Sequence, residues 1–418
     1  MEEGMRKTEE EIRAKRERRD VTLLVTGATG FLGSHLAVEL LRRGYRVVLL
    51  CRPTAEFTTQ QRIGRLLNWF GVDDGLESRL GIVEGFIDQP MLGMDREQYI
   101  DLGNRIDEIF HCAANTSFAE RKRPQIELAN VSNLKNVLDL AAAGSCYFFH
   151  QFSTAYVAGK RTGHCPETFV ETEQFTNVYE ETKHKGEQAA LEVCSRAGLR
   201  LNIYRPSIVY GDSASGRTLR FSAVYYPVKT ALYFKKIFLR DIMENGGTQA
   251  KEMGVHMDGN GTMHLPIRIE KKDEGGVNVV PVDYFVEASM AIMEESLDGG
   301  IFHIVNDRLT KLDDLVDYTQ RHFNIEGIRT VEKEELDATP RNALEALVRT
   351  YIEIYEPYMR DTRVFGIERS GPILKKRKIL CPDFDYEMFK RCMSYAVEVD
   401  WGNGLYEPRT PASQTQGR

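Results

Sequence analysis

Short hydrophobic runs alternate with segments of helical periodicity over the first half of the chain. Between the first two runs, Leu32, Leu36 and Leu40 recur every four residues on one helix face, and Gly44 stands where that helix would end. This alternation predicts an α/β fold of the Rossmann type, a doubly wound parallel sheet with helices on both faces. The predicted strands are 21–26, 45–51, 80–84, 108–112, 147–154 and 201–204.

The regular alternation stops after Gly211, where glycine-containing loops and aromatic stretches begin. Two strand-like segments, 275–282 and 300–305, predict a return to the main sheet. The charged segment 9–20 has little to bury, which predicts a solvated helix or a frayed arm. We therefore expect a charged N-terminal arm at 1–20, an NADP-binding Rossmann domain at 21–212, a substrate-binding or cap region at 213–274, a return to the Rossmann domain at 275–310 and a helical C-terminal region on the substrate side at 311–418. The smaller, substrate-binding part is expected to be mainly helical.

The amino-acid composition disfavours several classes of function. The net charge of -7 gives no general attraction to nucleic acid or to an anionic membrane. The seven cysteines are scattered without a C-x-x-C pair, so we expect no disulfide framework and no metal site. The N-terminus lacks the apolar stretch of a signal peptide, and no window approaches about 18 uncharged apolar residues. These features predict a cytoplasmic protein without an integral membrane segment.

A glycine-rich loop follows the first predicted strand directly and opens a helix. Gly27 would permit the tight turn, Gly30 would let the backbone approach a pyrophosphate, and Gly33 would let the helix pack against the sheet. The N–H groups at the helix N-terminus would then face the anion. The loop predicts dinucleotide contacts at Gly27, Thr29, Gly30, Phe31, Leu32 and Gly33.

The end of the second predicted strand bears on the choice of dinucleotide. An acidic residue there would bind the ribose hydroxyls of NAD, whereas this chain has Cys51-Arg52, with Arg42 and Arg43 closing the preceding helix. Arginine suits a 2′-phosphate. The sequence therefore favours NADP(H) over NAD(H), with a plain surface role for Arg52 as the alternative.

A phenol and an ammonium lie four residues apart at Tyr179 and Lys183, hence on one helix face. Thr154 lies 25 residues before Tyr179 at the end of the fifth predicted strand, where ligands of open α/β sheets bind. A phenol with a pKa of ~10 is a poor acid-base catalyst at pH 7 unless a nearby cation stabilises the phenolate. We therefore predict a catalytic set of Thr154, Tyr179 and Lys183.

The glycine loop, this catalytic set and the segment 205–211 (RPSIVYG) resemble those of extended short-chain dehydrogenases/reductases over about residues 21–310. The resemblance implies that Tyr179 donates a proton to the developing alkoxide while hydride arrives from nicotinamide. It also implies that Lys183 lowers the Tyr179 pKa and binds the nicotinamide ribose, and that Thr154 hydrogen-bonds the substrate oxygen. Further cofactor contacts are expected at Ala113, Ala114, Pro206 and Val209.

Three segments, 110–118, 56–80 and 153–157, are similar to the thioester reductase and fatty acyl-CoA reductase ("male sterility") branch of that superfamily. Phe86 stands where relatives commonly have an aspartate near adenine, so Asp88 is expected to take over that contact. The resemblance implies NADPH-dependent reduction of an acyl thioester to an aldehyde or alcohol. Coenzyme A or an acyl carrier protein in trans would carry the acyl group, and the aromatic segment 221–238 would either line an acyl channel or pack a cap.

Alternatives stay open at this point. An alcohol/ketone oxidoreductase of the hydroxysteroid dehydrogenase type needs the same three residues and an apolar pocket. A sugar-nucleotide epimerase uses the same fold. A non-catalytic NADP-binding protein is disfavoured, since Tyr179 and Lys183 are both present.

Overall fold

The computed structural model of the protein describes residues 7–72, 74–403, 405 and 406. The strands are β1 (Thr22–Thr26), β2 (Arg46–Cys51), β3 (Leu80–Glu84), β4 (Glu108–His111), β5 (Phe148–Phe152), β6 (Gly163–Cys165), β7 (Arg200–Pro206), β8 (Ile208–Tyr210), β9 (His256–Met257), β10 (Met263–Glu270), β11 (Val279–Pro281), β12 (Gly300–Ile304), β13 (Ile325–Val331) and β14 (Arg363–Phe365). Parts of the expected N-terminal arm and C-terminal region, 1–6 and 407–418, lie outside the described residues.

The helices vary from four to twenty residues in length. They are α1 (Glu9–Glu17), α2 (Phe31–Arg42), α3 (Thr59–Phe70), α4 (Arg96–Arg105), α5 (Arg123–Glu127), α6 (Asn133–Ala143), α7 (Val178–Ala197), α8 (Tyr225–Glu244), α9 (Thr248–Glu252), α10 (Val282–Glu295), α11 (Leu312–Phe323), α12 (Lys333–Ala338), α13 (Ala343–Ile352), α14 (Glu356–Met359), α15 (Ser370–Lys376) and α16 (Tyr386–Glu398).

A seven-stranded parallel sheet forms the centre of the molecule, in the order β12-β7-β5-β4-β1-β2-β3. All six strands predicted in the first half of the chain belong to it, and the predicted Rossmann-type fold is confirmed. The strand order reverses at β1, with β2 on one side and β4 on the other. Such a switch point opens a crevice beyond the carboxyl ends of the strands.

Helices cover both faces of this sheet because its strands are apolar on both sides. α2 and α10 pack on one face through residues such as Leu36, Leu40 and Phe285. α4, α6 and α7 pack on the other through residues such as Leu138 and Ala190. Each fully buried aliphatic side chain contributes about 2 kcal/mol to the free energy of folding, so the packing of helices on both faces stabilises the sheet.

The two segments expected to return to the main sheet behave differently. β12 joins the sheet beside β7, as predicted. The segment 275–282 instead supplies β11, which pairs with β8 in a separate two-stranded sheet. The hydrogen-bonding partner changes between two adjacent residues. The Ser207 N–H donates to the Ile304 carbonyl oxygen at the end of β12, whereas the Ile208 N–H donates to the Asn278 carbonyl oxygen beside β11.

The substrate side is less helical than its sequence suggested. A three-stranded sheet, β13-β10-β9, takes β10 from region 213–274 and β13 from region 311–418. The latter region also contains β14, so it is not purely helical. Met263, Leu265 and Ile267 are buried at every second position of β10, a period that a helix cannot produce. They form the cap core with side chains of α8 and α13.

The N-terminal segment is not the solvated arm that its composition indicated. In α1, Ile12 and Arg16 are buried, and the Arg16 guanidinium binds both carboxylate oxygens of Glu108 on β4, at 2.9 and 3.1 Å. Burial raises the Glu108 pKa, but Arg16 and His150 outweigh it and hold that pKa at about 2. A hydropathy pattern misses this docking because a buried ion pair anchors the helix.

Candidate functional site

A large cavity of about 1120 Å³ lies at the carboxyl ends of the parallel strands and continues under the cap. Every site residue predicted from the sequence lines it. These residues are Gly27, Thr29, Gly30, Phe31, Leu32, Gly33, Arg52, Asp88, Ala113, Ala114, Thr154, Tyr179, Lys183, Pro206 and Val209. They come from α2, α7 and β8 and from the ends of β1, β2, β3, β4, β5 and β7, so the topology brings them together.

The glycine loop is tightly packed against the loop that follows β4. Gly27 has a φ of +68°, and a Cβ on it would lie 2.6 Å from the Ala113 nitrogen. A Cβ on Gly33 would lie 2.4 Å from the Gly27 carbonyl oxygen. α2 begins directly after Gly30, which has no side chain to cap the first N–H groups. This bare helix start beside the cavity fits a pyrophosphate.

Two arginines occupy the end of the cavity beside β2. Arg52 was predicted, whereas Arg62, on α3, was missed. The Arg62 guanidinium donates to the Thr29 hydroxyl at 2.9 Å and to the Arg52 carbonyl oxygen. Neither arginine pairs with a carboxylate of the described ranges. Arg62 lies inside the segment 56–80, which the sequence analysis noted only for its similarity to the thioester reductase branch.

The other two basic residues noted beside the second strand lie elsewhere. Arg42 donates to the Phe70 carbonyl oxygen, and Arg43 pairs with Glu39 and Glu287. Neither lines the cavity. Asp88 does line it, and its contact with adenine stays a prediction.

Tyr179 lies at the start of α7, where a cap fixes its backbone. The Asn177 side-chain oxygen accepts the N–H groups of Tyr179 and Glu180, at 3.1 and 3.2 Å. Burial raises the Tyr179 pKa to about 12, opposed by the Thr154 hydrogen bond and then by the charge of Arg220. Both hydroxyl residues of the predicted catalytic set therefore line the same cavity, and Thr154 acts on the Tyr179 pKa.

Lys183 is buried one turn further along α7. Its ammonium donates to the Phe152 carbonyl oxygen at the end of β5. Burial lowers the Lys183 pKa to about 8, opposed by the charge of Glu187. His111, at the end of β4, is hydrogen-bonded to the Thr26 hydroxyl, and burial together with the Lys183 charge lowers its pKa to about 3. His111 is thus a neutral packing residue beside the lysine.

Asn130 joins the loop after β4 to α7 and was not singled out from the sequence. It lies in a single π-helical turn, Leu128–Ser132, a feature frequent at functional sites. Its amide exchanges hydrogen bonds with the Asn115 backbone at 2.7 and 2.9 Å and donates to the Thr182 hydroxyl at 2.9 Å. These bonds fix the distance between the glycine-loop side of the cavity and the helix that carries Tyr179.

The C-terminal region also reaches the site through Tyr358. Its hydroxyl donates to the Glu180 carboxylate at 2.6 Å and accepts from the Asn177 amide at 2.7 Å. Its ring stacks on Phe118, with centroids 5.4 Å apart, and Phe118 lies 5.8 Å from the Tyr179 ring. Nothing in the sequence connects residues 178 positions apart, so this contact appears only in the folded chain.

The cap end of the cavity is largely aliphatic. The large aromatic side chains of the segment 221–238 do not line it: Phe221 packs on Tyr225, and Phe234 and Phe238 belong to the cap core. Smaller residues of the segment line it instead. The aliphatic wall comprises Val224, Pro227, Val228, Ala231, Ile267, Ile269, Leu312, Leu315, Val316, Ile328, Val348 and Ile352.

Three buried hydroxyls of the cavity wall lack a hydrogen-bond partner among the described residues. They are those of Tyr156, of Ser153, beside Thr154, and of Ser207, beside Pro206. Buried polar atoms are nearly always hydrogen-bonded in folded proteins. A polar ligand group bound in the cavity would supply the missing partners of Ser153 and Ser207, which fits a nicotinamide and a carbonyl substrate.

Metal-ligand clusters and membrane-spanning helices are both absent from the described ranges. No group of three or more His, Cys, Asp or Glu residues there could hold a metal ion. His164 pairs with Glu368 across 2.8 Å. Within the part of the chain that the structure describes, no helix has the length and apolar character needed to cross a bilayer.

Comparison with known proteins adds independent findings. The family model described as "Male sterility protein" matches residues 25–289. A linear gramicidin synthase polypeptide of Brevibacillus parabrevis is 23% identical over 390 residues, 89% of this chain and 7% of that protein. The L-2-aminoadipate reductase large subunit of Penicillium chrysogenum is 30% identical over 219 residues, 47% of this chain and 15% of that protein. The chain thus spans only a small part of the length of these relatives.

Among solved structures, the terminal R domain from the myxalamid PKS-NRPS biosynthetic pathway has a TM-score of 0.70 to this chain. The two are 22% identical, and the likeness covers 91% of each chain. The two proteins therefore share their fold.

Proposed function

Since the chain belongs to the male sterility protein family and is an NAD(P)-dependent oxidoreductase of the extended short-chain dehydrogenase/reductase type, we propose that it reduces acyl thioesters with NADPH. The observation that carries the proposal is the continuous cavity. Its first part is a glycine loop suited to a phosphate, its middle has the Thr154, Tyr179 and Lys183 side chains, and its last part is an aliphatic chamber that could receive an acyl chain. Cofactor binding is assigned to 21–212 with 275–310, and substrate binding to 213–274 with 311–418.

The choice of NADPH rests on Arg52 and Arg62. Two guanidinium groups without a carboxylate partner in the described chain flank the end of β2, where the adenosine ribose of a Rossmann-bound dinucleotide lies. A 2′-phosphate would give each of them an anionic partner. The ribose hydroxyls of NADH would leave both charges unpaired, so the site favours the phosphorylated cofactor.

The reduction follows from the middle of the cavity. A dinucleotide held by the glycine loop would supply a hydride for the thioester carbon. Tyr179 and Thr154 hydrogen-bond the carbonyl oxygen, and Tyr179 gives its proton to that oxygen as negative charge develops there. Lys183, held by the Phe152 carbonyl oxygen, keeps a positive charge near the reacting centre. The thiol then leaves and an aldehyde remains.

The form of the substrate follows from the aliphatic chamber and from the relatives. A wall of Val, Ile and Leu side chains favours an apolar acyl chain over a charged one, because a charge there would lose its hydration without a partner. One relative is named a reductase, and the structural neighbour is a terminal R domain of a PKS-NRPS pathway. These support a thioester carried by a carrier protein or by coenzyme A.

The test is NADPH oxidation by the purified protein with a panel of substrates, with products identified by mass spectrometry. The panel contains acyl-CoA thioesters of rising chain length, the same acyl groups on a carrier protein, matched ketones and aldehydes, and a UDP-sugar. We expect thioester-dependent oxidation that yields an aldehyde or alcohol. Activity confined to ketones would replace the proposal by a hydroxysteroid-type oxidoreductase, and interconversion of the UDP-sugar without net oxidation would replace it by an epimerase.

A further inference from the structure

Arg220 is, among the residues that the structure describes, the one charged residue on the substrate side of the cavity wall. Five charged side chains of the described chain line the cavity: Arg52, Arg62, Asp88, Lys183 and Arg220. The first three belong to the adenosine end, and Lys183 is buried in the middle. Arg220 precedes α8, at the junction between the reacting groups and the aliphatic chamber.

The Arg220 guanidinium is held in place by hydroxyl groups. Its Nε donates to the Ser222 hydroxyl at 3.1 Å, and one of its terminal nitrogens donates to the Thr116 hydroxyl in the loop after β4. The Arg220 N–H donates to the buried Thr218 hydroxyl at 3.2 Å. Over the residues 7–72, 74–403, 405 and 406, no carboxylate forms an ion pair with this guanidinium. The positively charged guanidinium therefore lies on the cavity wall without an anionic partner among the described residues.

The position of Arg220 complements that of Lys183. The Lys183 ammonium is already bound to the Phe152 carbonyl oxygen, and its pKa responds to Glu187. The positive charge that lowers the Tyr179 pKa is that of Arg220. Glu180, on the same helix as Tyr179, acts in the opposite direction. Arg220 and Tyr179 thus face the same cavity, and the Arg220 charge favours the ionised form of Tyr179.

We propose that Arg220 is a further catalytic residue, whose guanidinium stabilises the negative charge that develops on the thioester oxygen and on Tyr179. The inference rests on the proposed thioester reduction. A hydride adds with its electron pair to the thioester carbon, the carbonyl π pair moves to oxygen, and that oxygen takes the Tyr179 proton. Collapse of this adduct breaks the carbon–sulfur bond. The hydroxyl proton passes to the sulfur, which leaves as a thiol, and the acyl carbon, having received the hydride, remains as an aldehyde. Tyr179 then regains a proton from solvent.

The Arg220 guanidinium stabilises negative charge both during hydride addition and after proton transfer. During hydride addition it faces an oxygen whose charge is growing, and after proton transfer it faces the Tyr179 phenolate. A preorganised donor of this kind stabilises the transition state more than the neutral ground state, so its removal lowers kcat rather than substrate affinity. An arginine that only bound the substrate would instead raise KM.

The test compares Arg220→Gln and Arg220→Lys with the wild-type protein, and Arg240→Gln serves as the matched control. Arg240 is an exposed arginine of α8 that does not line the cavity. We expect Arg220→Gln to lower kcat about 100-fold, the size of effect seen when an oxyanion donor is removed. Arg220→Lys should recover at least tenfold of that loss, and added guanidinium ion should partly restore the glutamine variant. The control should retain wild-type kcat.

A second readout uses binding without turnover. The acyl thioester itself, added in the presence of NADP+ so that no hydride is available, should bind to the wild-type protein and to Arg220→Gln with the same Kd by calorimetry. A Kd raised in step with the loss of activity would make Arg220 a ground-state binding residue and overturn the inference, as would an unchanged kcat. If the wild-type protein reduces no thioester at all, the proposed function fails, and that outcome is visible before any variant is made.

Discussion

The two ends of the cavity are built in opposite ways. The end proposed to bind adenosine and pyrophosphate comes mainly from one continuous stretch, β1 with the glycine loop and the start of α2, and it offers backbone N–H groups and two arginines. The acyl end comes from five separate elements, α8, β10, α11, β13 and α13, and it offers mainly aliphatic side chains. One end is specified by a local motif and the other by packing.

This difference has a physical origin. A phosphate is recognised by directional hydrogen bonds, which a tight turn with glycines can present over a few residues. An acyl chain is recognised by the removal of apolar surface from water, which is not directional and can be supplied by any element that reaches the wall. Single substitutions should therefore abolish binding at the first end, whereas binding at the second end should depend mainly on the side-chain volume that fills it.

The largest expected effect falls where the two ends meet. Tyr179→Phe removes the proton donor and keeps the ring beside Phe118, so we expect kcat to fall about 1000-fold. The NADPH Kd should stay unchanged because the glycine loop is untouched. Stopped-flow reduction and fluorescence titration measure the two quantities. Tyr233→Phe, at an exposed position of α8, is the control. Turnover within threefold of wild type would remove Tyr179 from the mechanism.

The adenosine end is tested by Arg52→Ala and Arg62→Ala. Each removes one charge-assisted hydrogen bond to a 2′-phosphate, about 1.5–3 kcal/mol, so the NADPH Kd should rise roughly 10- to 100-fold. The NADH Kd should hardly change, since NADH has no such phosphate. Calorimetric titration with both cofactors checks this. Arg65→Ala is the matched control, because Arg65 lies on the same helix and stacks on Phe57. Equal losses for both cofactors would contradict the NADPH assignment.

The acyl end is tested by a substitution that reduces the free volume of the aliphatic chamber. Ala231→Phe places a ring in the aliphatic chamber, so kcat/KM for long acyl thioesters should fall about tenfold relative to short ones through lost space. The NADPH Kd should not move. Leu232→Phe, at the next position and off the cavity wall, should leave the chain-length profile unchanged. A uniform loss for all chain lengths would show that the chamber does not hold the acyl chain.

The smallest effect is the pH dependence between about pH 7 and 9. Burial lowers the Lys183 pKa to about 8, so Lys183 is charged below that pH and loses its charge as the pH rises through it. Because the positive charge favours reduction, kcat/KM should decline above about pH 8. Tyr179, with a pKa of about 12, stays protonated throughout and adds no second step in this range. A flat profile up to pH 9.5 would show that the Lys183 charge does not matter to the reaction.

The sequence predicted most of the cofactor end. Alternating apolar runs located the six strands, and the glycine loop, Arg52, Tyr179 and Lys183 all line the observed cavity. The errors arose where the governing contact joins distant segments. The composition of the segment 9–20 indicated a solvated arm, whereas Arg16 binds Glu108 and holds the segment against the sheet. In the segment 221–238, small residues line the cavity and the aromatic rings do not.

The sequence by itself determined the Rossmann domain and the identity of its motif residues, because short-period patterns and local turns depend on neighbours along the chain. Tertiary structure alone decided which side chains complete the site. Arg62, Asn130, Arg220 and Tyr358 reach it from elements up to about 300 residues apart, and their roles depend on distances, burial and unpaired charge. Those quantities exist only once the chain has folded, since burial and electrostatic interaction are properties of a three-dimensional arrangement.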